Sequence, residues 1–206
     1  MIDARESIGG QFSAFPTAYG LQPKASLMLA IRLATAADLA AINAIYNHYV
    51  PISTTTYDYE PMSIETRRKW FEGRDAIHPV TVAVLNDAAE FSQASSLEPQ
   101  ASPPVVGWGS LHTFRHKPGY RLTVENSVYV HPDHQREGVG SAILVDQIER
   151  ARAAGLHAIV AGADAEQTGS LALHYKHGFR EVGRFGQIGY KFDRWLDVIF
   201  MELLLE

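Results

Sequence analysis

The segment from Gln135 to Ser141 has the residue types and spacing that most clearly suggest chemistry. Its pattern, Gln135-x-x-Gly138-x-Gly140, follows the β-rich run Leu122–Val130 and precedes an apolar helical pattern. The first turn of a helix carries backbone N–H groups without intrahelical partners and a partial positive charge. Glycines allow the main chain to approach a phosphate without an intervening Cβ. The segment therefore predicts a loop that binds a phosphate-bearing ligand.

The spacing excludes the two commonest nucleotide-binding loops. The chain has no Gly-x-x-x-x-Gly-Lys-Ser/Thr pattern, and therefore no lysine placed to reach a terminal phosphate. It also lacks Gly-x-Gly-x-x-Gly, the pattern of dinucleotide-binding folds. From this segment alone, the remaining alternative is an ordinary strand-to-helix turn that contains two glycines.

The composition limits the class of protein. The 206 residues are enough for one sizeable domain, and the hydrophobic content of 46% and charged content of 20% are ordinary for a soluble globular protein. The net charge of −5 argues against a general nucleic-acid binder. Since the chain has no cysteine, disulfides, thiolate catalysis and cysteine metal sites are excluded. Neither a membrane span nor a signal peptide is predicted, because the required apolar runs are missing.

Hydrophobic periodicity and turn residues predict the element order β-α-α-β-β-β-α-β-α-β-β. The predicted strands are Leu27–Leu33, Val80–Leu85, Val105–Phe114, Leu122–Val130, His157–Ala163, Phe179–Arg184 and Trp195–Leu205. The predicted helices run from Thr35 to Pro51, onward from Ser63, from Gly138 to Gly155, and from Thr168 or Ser170 to Gly178. Alternation of strands and helices predicts a mixed α and β domain.

One domain is predicted, covering residues 27–206, with a poorly structured N-terminal arm at 1–26. The arm mixes glycines and prolines with few periodic apolar residues. Residues 86–104 contain three prolines and show no sustained period, so they are predicted to form a surface insertion between two strands.

The glycine loop resembles the pyrophosphate loop of the GNAT-type N-acetyltransferases, which bind acetyl-coenzyme A (acetyl-CoA). Other segments narrow the resemblance to the branch of phosphinothricin and methionine sulfoximine N-acetyltransferases. They are Ile31-Arg32-x-Ala34-Thr35-x-x-Asp38, Ile45-Tyr46-Asn47, Ser53–Tyr57, Trp70, Thr123–Val130, Ser170–His174 with Gly178-Phe179, and Gly189–Lys191 followed by Trp195-x-Asp197-Val198. The resemblance implies the α+β GNAT fold, a twisted mixed sheet of about seven strands with about four helices.

The resemblance implies catalytic roles for Glu125 and His174. Glu125 stands in the family's Thr-Val-Glu context, where a glutamate is the proposed general base that removes a proton from the acceptor ammonium. His174 follows Ser170 by four residues, at the position from which a side chain protonates the departing thiolate, and an imidazole can donate a proton near neutral pH. For Glu125 the alternative is an ion pair with Arg115 or Arg121. For His174 it is a helix histidine that faces solvent or caps a turn.

For acetyl-CoA, the resemblance implies that the backbone of one strand binds the pantetheine amides and the glycine loop holds the diphosphate. The implied set is Val128, Tyr129, Val130, Gln135, Arg136, Glu137, Gly138, Val139, Gly140, Ser141, Gln167 and Ser170. Gln167 departs from the family, which usually carries an asparagine there to contact pantetheine. Either the longer amide or Thr168 is expected to supply that contact.

For the acceptor, the resemblance implies Arg115, Tyr57 and Phe114. A guanidinium can hold an α-carboxylate with two parallel hydrogen bonds, so Arg115 is predicted to bind that group. Tyr57 and Phe114 are predicted to line the side-chain pocket.

The chain has nine histidines, which raises the question of a metal site. The pairs His131-x-x-His134 and His112-x-x-x-His116 have tolerable ligand spacing, but neither has an obvious third ligand nearby. No metal is predicted.

The leading prediction is transfer of an acetyl group from acetyl-CoA to the amino group of a small amino-acid-like acceptor. The alternatives are another small amine or a protein N-terminus as acceptor, and a non-catalytic acetyl-CoA sensor, against which retention of Glu125 and His174 argues. The resemblance also implies a homodimer, for which Val198–Leu205 offers an apolar surface or edge. Nucleic-acid and membrane partners are not predicted, and the expected location is the cytoplasm.

Overall fold

The structure, a computed structural model, describes residues 27–87 and 103–206. The predicted N-terminal arm at 1–26 and residues 88–102 of the predicted insertion lie outside the described residues. Of the remaining insertion residues, Asn86 and Asp87 belong to the second strand, which is two residues longer than predicted.

The described residues form seven strands and four α-helices in the predicted order. The strands are β1 (Leu27–Leu33), β2 (Val80–Asp87), β3 (Val105–Thr113), β4 (Thr123–Val130), β5 (Ala158–Asp164), β6 (Arg180–Lys191) and β7 (Arg194–Leu204). The helices are α1 (Leu39–Tyr49), α2 (Ile64–Glu72), α3 (Val139–Ala153) and α4 (Thr168–Lys176). A 3₁₀ turn, Ala36–Asp38, precedes α1, and Thr35 and Asp38 form a capping box at its start.

All strands belong to one sheet with the order β1-β2-β3-β4-β5-β7-β6. Neighbouring strands are antiparallel except β4 and β5, which are parallel and are connected through α3. Of the surface or edge predicted at Val198–Leu205, the edge is wrong, because β7 pairs with β5 on one side and β6 on the other. Among the described strands, β1 and β6 are the sheet edges.

The parallel strands β4 and β5 pair over a short stretch and then diverge. Only three residue pairs join them, namely Thr123 with Ala158, Val124 with Ile159, and Glu125 with Val160. The opening that follows is called the β4–β5 cleft below. Since α3 begins just after β4 and α4 just after β5, both helix N-termini lie at this cleft.

Alternation along the strands gives the sheet two apolar faces. In β2, Val82 and Val84 pack under α1 and α2, whereas Ala83 packs against α3. The core on the α1 side includes Leu39, Ile42, Ile45, Tyr49, Val82, Val84 and Trp108. The core on the α3 and α4 side includes Leu111, Val124, Leu144, Ile148, Ile159, Leu171 and Met201. Side chains at alternate positions of β4 therefore face different helix pairs.

The strand β6 extends to Lys191, well past the predicted end at Arg184. Its pairing with β7 shifts register between Phe185 and Gly189, which interrupts the alternation that a strand prediction relies on. Phe192 and Asp193 then form a two-residue turn with φ values of 53° and 55°. Such turns usually contain glycine or asparagine, so this sequence gave little sign of a hairpin.

Candidate active site

The glycine loop connects β4 to α3 through two residues in the left-handed backbone region. Arg136 has a φ of 66° and Gly138, the N-cap of α3, has a φ of 87°. The first helical bond runs from Ala142 N to Gly138 O at 3.0 Å, so the N–H groups of residues 139–141 lack acceptors within the helix. A Cβ on Gly138 would meet none of the described atoms within 4 Å, so a ligand can approach this turn.

The loop borders a cavity of about 500 Å³ in the β4–β5 cleft, called the loop cavity below. Ten of the twelve residues predicted to bind acetyl-CoA line it: Val128, Tyr129, Val130, Gln135, Arg136, Gly138, Gly140, Ser141, Gln167 and Ser170. The two that do not are Glu137, whose carboxylate pairs with His134 at 2.9 Å, and Val139, whose side chain is buried in the core. Val139 can still offer its backbone N–H at the helix start.

The backbone of β4 offers hydrogen-bonding groups to the loop cavity. In an antiparallel ladder, alternate residues turn their N–H and C=O groups to opposite sides. His131 N donates to Val106 O at 2.8 Å, so the odd-numbered residues of β4 direct their backbone groups toward β3. The even-numbered residues of β4 direct theirs to the other side, which is the β4–β5 cleft. Val128 and Val130 therefore direct their backbone groups into the cleft. The Tyr49 hydroxyl donates to Val130 O at 2.5 Å, which leaves the Val130 N–H and both Val128 groups for a ligand.

The side chain of Gln135 organises the loop instead of facing the cavity centre. Its Nε2 donates to the Tyr49 hydroxyl at 2.8 Å. Two cationic side chains, Arg136 and Lys176, line the same cavity. Backbone N–H groups, a helix N-terminus and two cations make this cavity suitable for a diphosphate.

A second cavity of about 460 Å³ continues from the first and is called the Glu125 cavity below. The two cavities share the lining residues Thr55, Val128, Tyr129, Gln167 and Ser170. The Glu125 cavity is also lined by Tyr57, Asp164, Ile188, Val198 and Phe200. A ligand in the loop cavity can therefore place a reactive end beside Glu125.

Glu125 is half-buried and has no ion-pair or hydrogen-bond partner within residues 27–87 and 103–206. The alternative ion pair with Arg115 or Arg121 is not formed. Burial raises the pKa of the Glu125 carboxyl above its usual range. Gly162 lies beside it, since a Cβ there would come 3.6 Å from Glu125 Oε1. An unpaired carboxylate in a cavity, with a raised pKa, is suited to accept a proton.

Tyr57, predicted to line the acceptor pocket, lies in the lining of the Glu125 cavity. Its hydroxyl donates to Asp164 Oδ2 at 3.3 Å, and Glu166 N donates to Asp164 Oδ1 at 2.8 Å. Burial, followed by the charge of Asp164, raises the pKa of Tyr57 to about 12. Tyr57 is therefore a neutral hydrogen-bond donor at neutral pH.

The loop that carries Tyr57 is fixed by two polar side chains. Gln167 Nε2 donates to Thr54 Oγ1 at 2.9 Å, and the buried Lys191 Nζ donates to Ser53 O at 2.8 Å and Thr56 O at 2.6 Å. The amide of Gln167 is thus engaged with this loop. The sequence analysis did not identify Lys191 or Asp164 as residues of the site. The only sign in the sequence was a charged residue at the end of an apolar strand.

His174 lies in neither cavity, which does not support its predicted role as proton donor. The side chain is 5% exposed, with Nδ1 2.8 Å from Ser170 O and Nε2 3.1 Å from Asn126 Nδ2. A carbonyl accepts and an amide NH₂ donates, so the proton lies on Nδ1 and the ring is neutral. Burial lowers the pKa of His174, which also favours the neutral form. The residue instead orients Asn126, whose Nδ2 also donates to Gln147 Oε1 at 3.2 Å.

A structural role for His174 leads to a prediction. In His174→Gln, the side-chain oxygen can still accept from Asn126, so we expect kcat to fall by less than about tenfold, whereas loss of a proton donor costs about 10²–10⁴-fold. The melting temperature should fall, because the Ser170 carbonyl loses its hydrogen bond from the imidazole Nδ1. Steady-state kinetics and thermal melting measure the two effects, and a hundredfold loss of kcat in a protein of unchanged stability would restore the catalytic assignment.

The structure does not bring Arg115 and Phe114 to either cavity. Arg115 is exposed in the β3–β4 connection, with its guanidinium 5.2 Å from the Phe114 ring and 5.7 Å from the Tyr120 ring. Phe114 packs edge-on against Tyr120 at 5.8 Å. Within this chain, these aromatic contacts hold the guanidinium outside the cavity lining, so the carboxylate-binding role of Arg115 is not supported.

Two further features concern metals and membranes. In the part of the chain that the structure describes, no group of three or more histidine, aspartate or glutamate side chains is arranged to hold a metal ion. None of the four helices described here is long and apolar enough to cross a membrane.

Comparison with known proteins agrees with this geometry. The model of the acetyltransferase (GNAT) family matches residues 42–179. An L-amino acid N-acyltransferase from Escherichia coli K12 is 39% identical over 179 residues, covering 86% of this chain and 95% of that protein. An L-methionine sulfoximine/L-methionine sulfone acetyltransferase from Salmonella typhimurium is 37% identical, with the same two coverages of 86% and 95%.

A solved structure is also similar. The phosphinothricin acetyltransferase from Sinorhizobium meliloti, in complex with acetyl-CoA, has a TM-score of 0.72 and 30% identity, covering 86% of this chain and 88% of that one. The predicted α+β fold is confirmed, with seven strands in one mixed sheet and four α-helices among the described residues. This chain belongs to the GNAT family of acetyltransferases, as the resemblance of its motifs predicted.

Proposed function

We propose that this chain transfers the acetyl group of acetyl-CoA to the amino group of a small amino-acid-like acceptor. The main observation in support is that the loop cavity and the Glu125 cavity adjoin each other and share lining residues. A volume of about 460 Å³ suits a free amino acid, and the named relatives act on acceptors of that kind. Methionine sulfoximine, methionine sulfone and phosphinothricin are the acceptors to test first.

The residues of the loop cavity fit acetyl-CoA. The N–H groups at the start of α3, with Arg136 and Lys176, suit its diphosphate. The backbone groups of Val128 and Val130 suit the two pantetheine amides, which would extend the sheet at β4. Acetyl-CoA held in this way would place its thioester near the lining residues that the two cavities share, which include Ser170.

Glu125 is the residue to which we assign general-base catalysis. An amino acid is mostly protonated at neutral pH, and its nitrogen attacks the thioester carbonyl only after losing a proton. Glu125, directly or through one water, accepts this proton. The nitrogen then forms the new C–N bond, the C–S bond breaks, and the thiolate leaves. Tyr57 and Asp164, which line the same cavity as Glu125, are the residues that we assign to hold the acceptor.

The direct test is a thiol-release assay with acetyl-CoA and a panel of amines. The panel contains the three acceptors named above, the common amino acids, simple amines and peptides with free N-termini. Release above background with amino-acid analogues supports the proposal. Strongest release with peptides would instead identify a protein N-terminus as the acceptor. Calorimetric binding of acetyl-CoA with no release on any amine would identify a sensor.

The homodimer is part of the same proposal, and the exposed edge strand β6 supports it. Apolar side chains on β6 and at the start of β7 are exposed, among them Val182 at 51% and Trp195 at 60%. An unpaired edge with exposed apolar residues is a surface that proteins normally cover. A second copy docked there would lie beside Ile188, at the border of the Glu125 cavity.

Disrupting this edge is expected to produce monomers. The double change Val182→Lys and Trp195→Lys introduces two charges into the proposed interface, and sedimentation velocity should show the particle mass fall to half. Ile52→Lys is the matched control, since Ile52 is 62% exposed on the loop between α1 and α2. The dimer assignment fails if the double variant and the control sediment alike.

We also propose that the enzyme works in the cytoplasm. The reason is its co-substrate, since acetyl-CoA is made and used there. Fractionation of cells that express the tagged chain would test this.

A further inference from the structure

A serine and a histidine join the glycine loop to the end of α4. Ser141, in the first turn of α3, lines the loop cavity, and its Oγ lies 2.5 Å from Nε2 of His177. His177 is the C-cap of α4 and is half-buried. The fold therefore brings an imidazole against a hydroxyl group that borders the cavity assigned to acetyl-CoA, although the two residues are 36 positions apart in sequence.

The direction of the hydrogen bond between Ser141 and His177 decides what the serine offers to a ligand. If Nε2 carries no proton, the hydroxyl must donate to it, and only oxygen lone pairs face the cavity. If Nε2 carries a proton, it donates to Oγ, and the hydroxyl hydrogen is free to point into the cavity. A phosphate oxygen accepts hydrogen bonds and repels lone pairs. The protonated nitrogen therefore matches a diphosphate, and the unprotonated nitrogen does not.

The charged groups around His177 leave its ring without an anionic partner. His177 forms no ion pair within residues 27–87 and 103–206. On the glycine loop, Arg136 lines the loop cavity, and the carboxylate of Glu137 pairs with His134 at 2.9 Å. On α4, Lys176 lines the same cavity. An anion in the loop cavity would therefore act on the ring without competition from these carboxylates.

The remaining neighbours keep the His177 ring neutral in the free protein. Glu181, on β6, accepts a hydrogen bond from the Tyr175 hydroxyl at 3.0 Å, and His174 is buried and neutral. Burial, followed by the charge of Lys176, lowers the pKa of His177. The C-terminus of a helix favours a nearby cation, and a bound diphosphate would favour it further, so the ring is placed to gain a proton when an anion binds.

We propose that His177 is a positioning residue for the diphosphate of acetyl-CoA. Its Nε2 donates to Ser141 Oγ, the Ser141 hydroxyl donates to a phosphate oxygen, and the diphosphate stabilises the imidazolium. Binding is then accompanied by proton uptake, and the affinity for acetyl-CoA rises as the pH falls from about 8 to about 6. The inference rests on the proposed function, since it takes the loop cavity as the acetyl-CoA site.

Calorimetry with dephospho-CoA measures the effect directly in the full-length protein. This ligand keeps the diphosphate but lacks the 3′-phosphate, whose own titration near neutral pH would obscure the result. We expect its Kd to fall by about threefold or more between about pH 8 and about pH 6, because a nearby opposite charge shifts a pKa by about one unit or more. The binding enthalpy should also vary with the ionisation enthalpy of the buffer, which reports the proton uptake.

His177→Gln isolates the contribution of the imidazole. Its amide can still donate to Ser141 but does not titrate, so the Kd at about pH 8 should stay within about twofold, and the gain in affinity at lower pH should vanish. His157→Gln is the matched control and should retain that gain, because His157 is an exposed histidine at the other end of α3, just before β5.

A second pair of variants tests whether the effect passes through the serine. His177→Leu offers no donor and should weaken dephospho-CoA binding by about fivefold, as for the loss of one hydrogen bond. In a Ser141→Ala background the same change should cost much less, because the hydroxyl that it orients is gone. Additive losses would overturn the inference, as would an equal pH dependence of Kd in the unmodified protein and His177→Gln. Melting temperatures establish that each variant is folded.

These measurements need no acetyl transfer, so failure of the inference and failure of the proposed function are distinguishable. If dephospho-CoA binds with proton uptake that depends on His177 but no amine is acetylated, the inference stands and the proposed function fails. If amines are acetylated and His177→Gln keeps the pH dependence of Kd, the proposed function stands and the inference fails. Absence of any binding of dephospho-CoA would refute both.

Discussion

Replacing Glu125 with glutamine is expected to lower kcat by about 10²–10⁴-fold at neutral pH, the usual contribution of a positioned general base. Glutamine keeps the shape of the side chain but cannot accept the ammonium proton. Since Glu125 has no ion pair in the described chain, the change should leave its neighbours in place. The KM for acetyl-CoA should remain nearly unchanged, because that ligand is assigned to backbone groups and the start of α3. Steady-state kinetics with both substrates varied measures these effects.

The pH dependence of kcat/KM gives an independent check. Burial raises the pKa of Glu125, so the acidic limb of the profile should lie above the usual range of a glutamate. Activity is lost as pH falls through that pKa, because the protonated carboxyl cannot act as a base. In Glu125→Gln this limb should vanish, and the defect should shrink as pH approaches the pKa of the amine. Glu149→Gln, on the exposed face of α3, is the control. Near-normal kcat in Glu125→Gln at neutral pH would refute the role.

A valine at Gly138 is expected to raise the KM for acetyl-CoA by at least about tenfold, with a much smaller effect on the KM for the amine. Gly138 has a φ of 87°, a conformation that costs an L-residue roughly 1–2 kcal/mol, so the turn that presents the N–H groups of α3 should shift. A side chain there would also occupy space open to the diphosphate. Initial rates with each substrate varied in turn measure the two KM values.

The matched control for this change lies at the other end of α3. Gly155 has a φ of 69°, and a Cβ there would also meet none of the described atoms within 4 Å. Gly155→Val therefore carries similar backbone strain but lies away from the loop cavity. The diphosphate assignment is wrong if folded Gly138→Val and Gly155→Val proteins have the same KM for acetyl-CoA.

The parts of the site that could be predicted from sequence are those built on local backbone geometry. The spacing of Gly138 and Gly140 after a strand predicts a turn that involves only a few consecutive residues. The structure contains that turn at the start of α3. Glu125 was recognisable because it stands in the Thr-Val-Glu context of the family motif. The fold followed from periodicity in the same way, apart from β6, where the register shift near Gly186 interrupts the alternation.

The parts that could not be predicted depend on burial and on contacts between distant segments. His174 has a suggestive position, but its role depends on Asn126, which is 48 residues away in sequence. Lys191 binds backbone oxygens 135 and 138 residues away. Arg115 and Arg67 look equivalent in the sequence, and only the structure shows that one is exposed and the other is enclosed by aromatic rings.

The central place of β7 in the sheet has a consequence for synthesis on the ribosome. β7 follows the other six described strands in chain order, yet it lies between β5 and β6, which do not pair with each other. A nascent chain that has not yet released Arg194–Leu204 has no partner for β6 and leaves one side of β5 open. It also lacks Val198 and Phe200, which line the Glu125 cavity. Prematurely terminated chains should therefore be inactive and prone to aggregation through these open strands, so that translation yields either a complete enzyme or material for degradation.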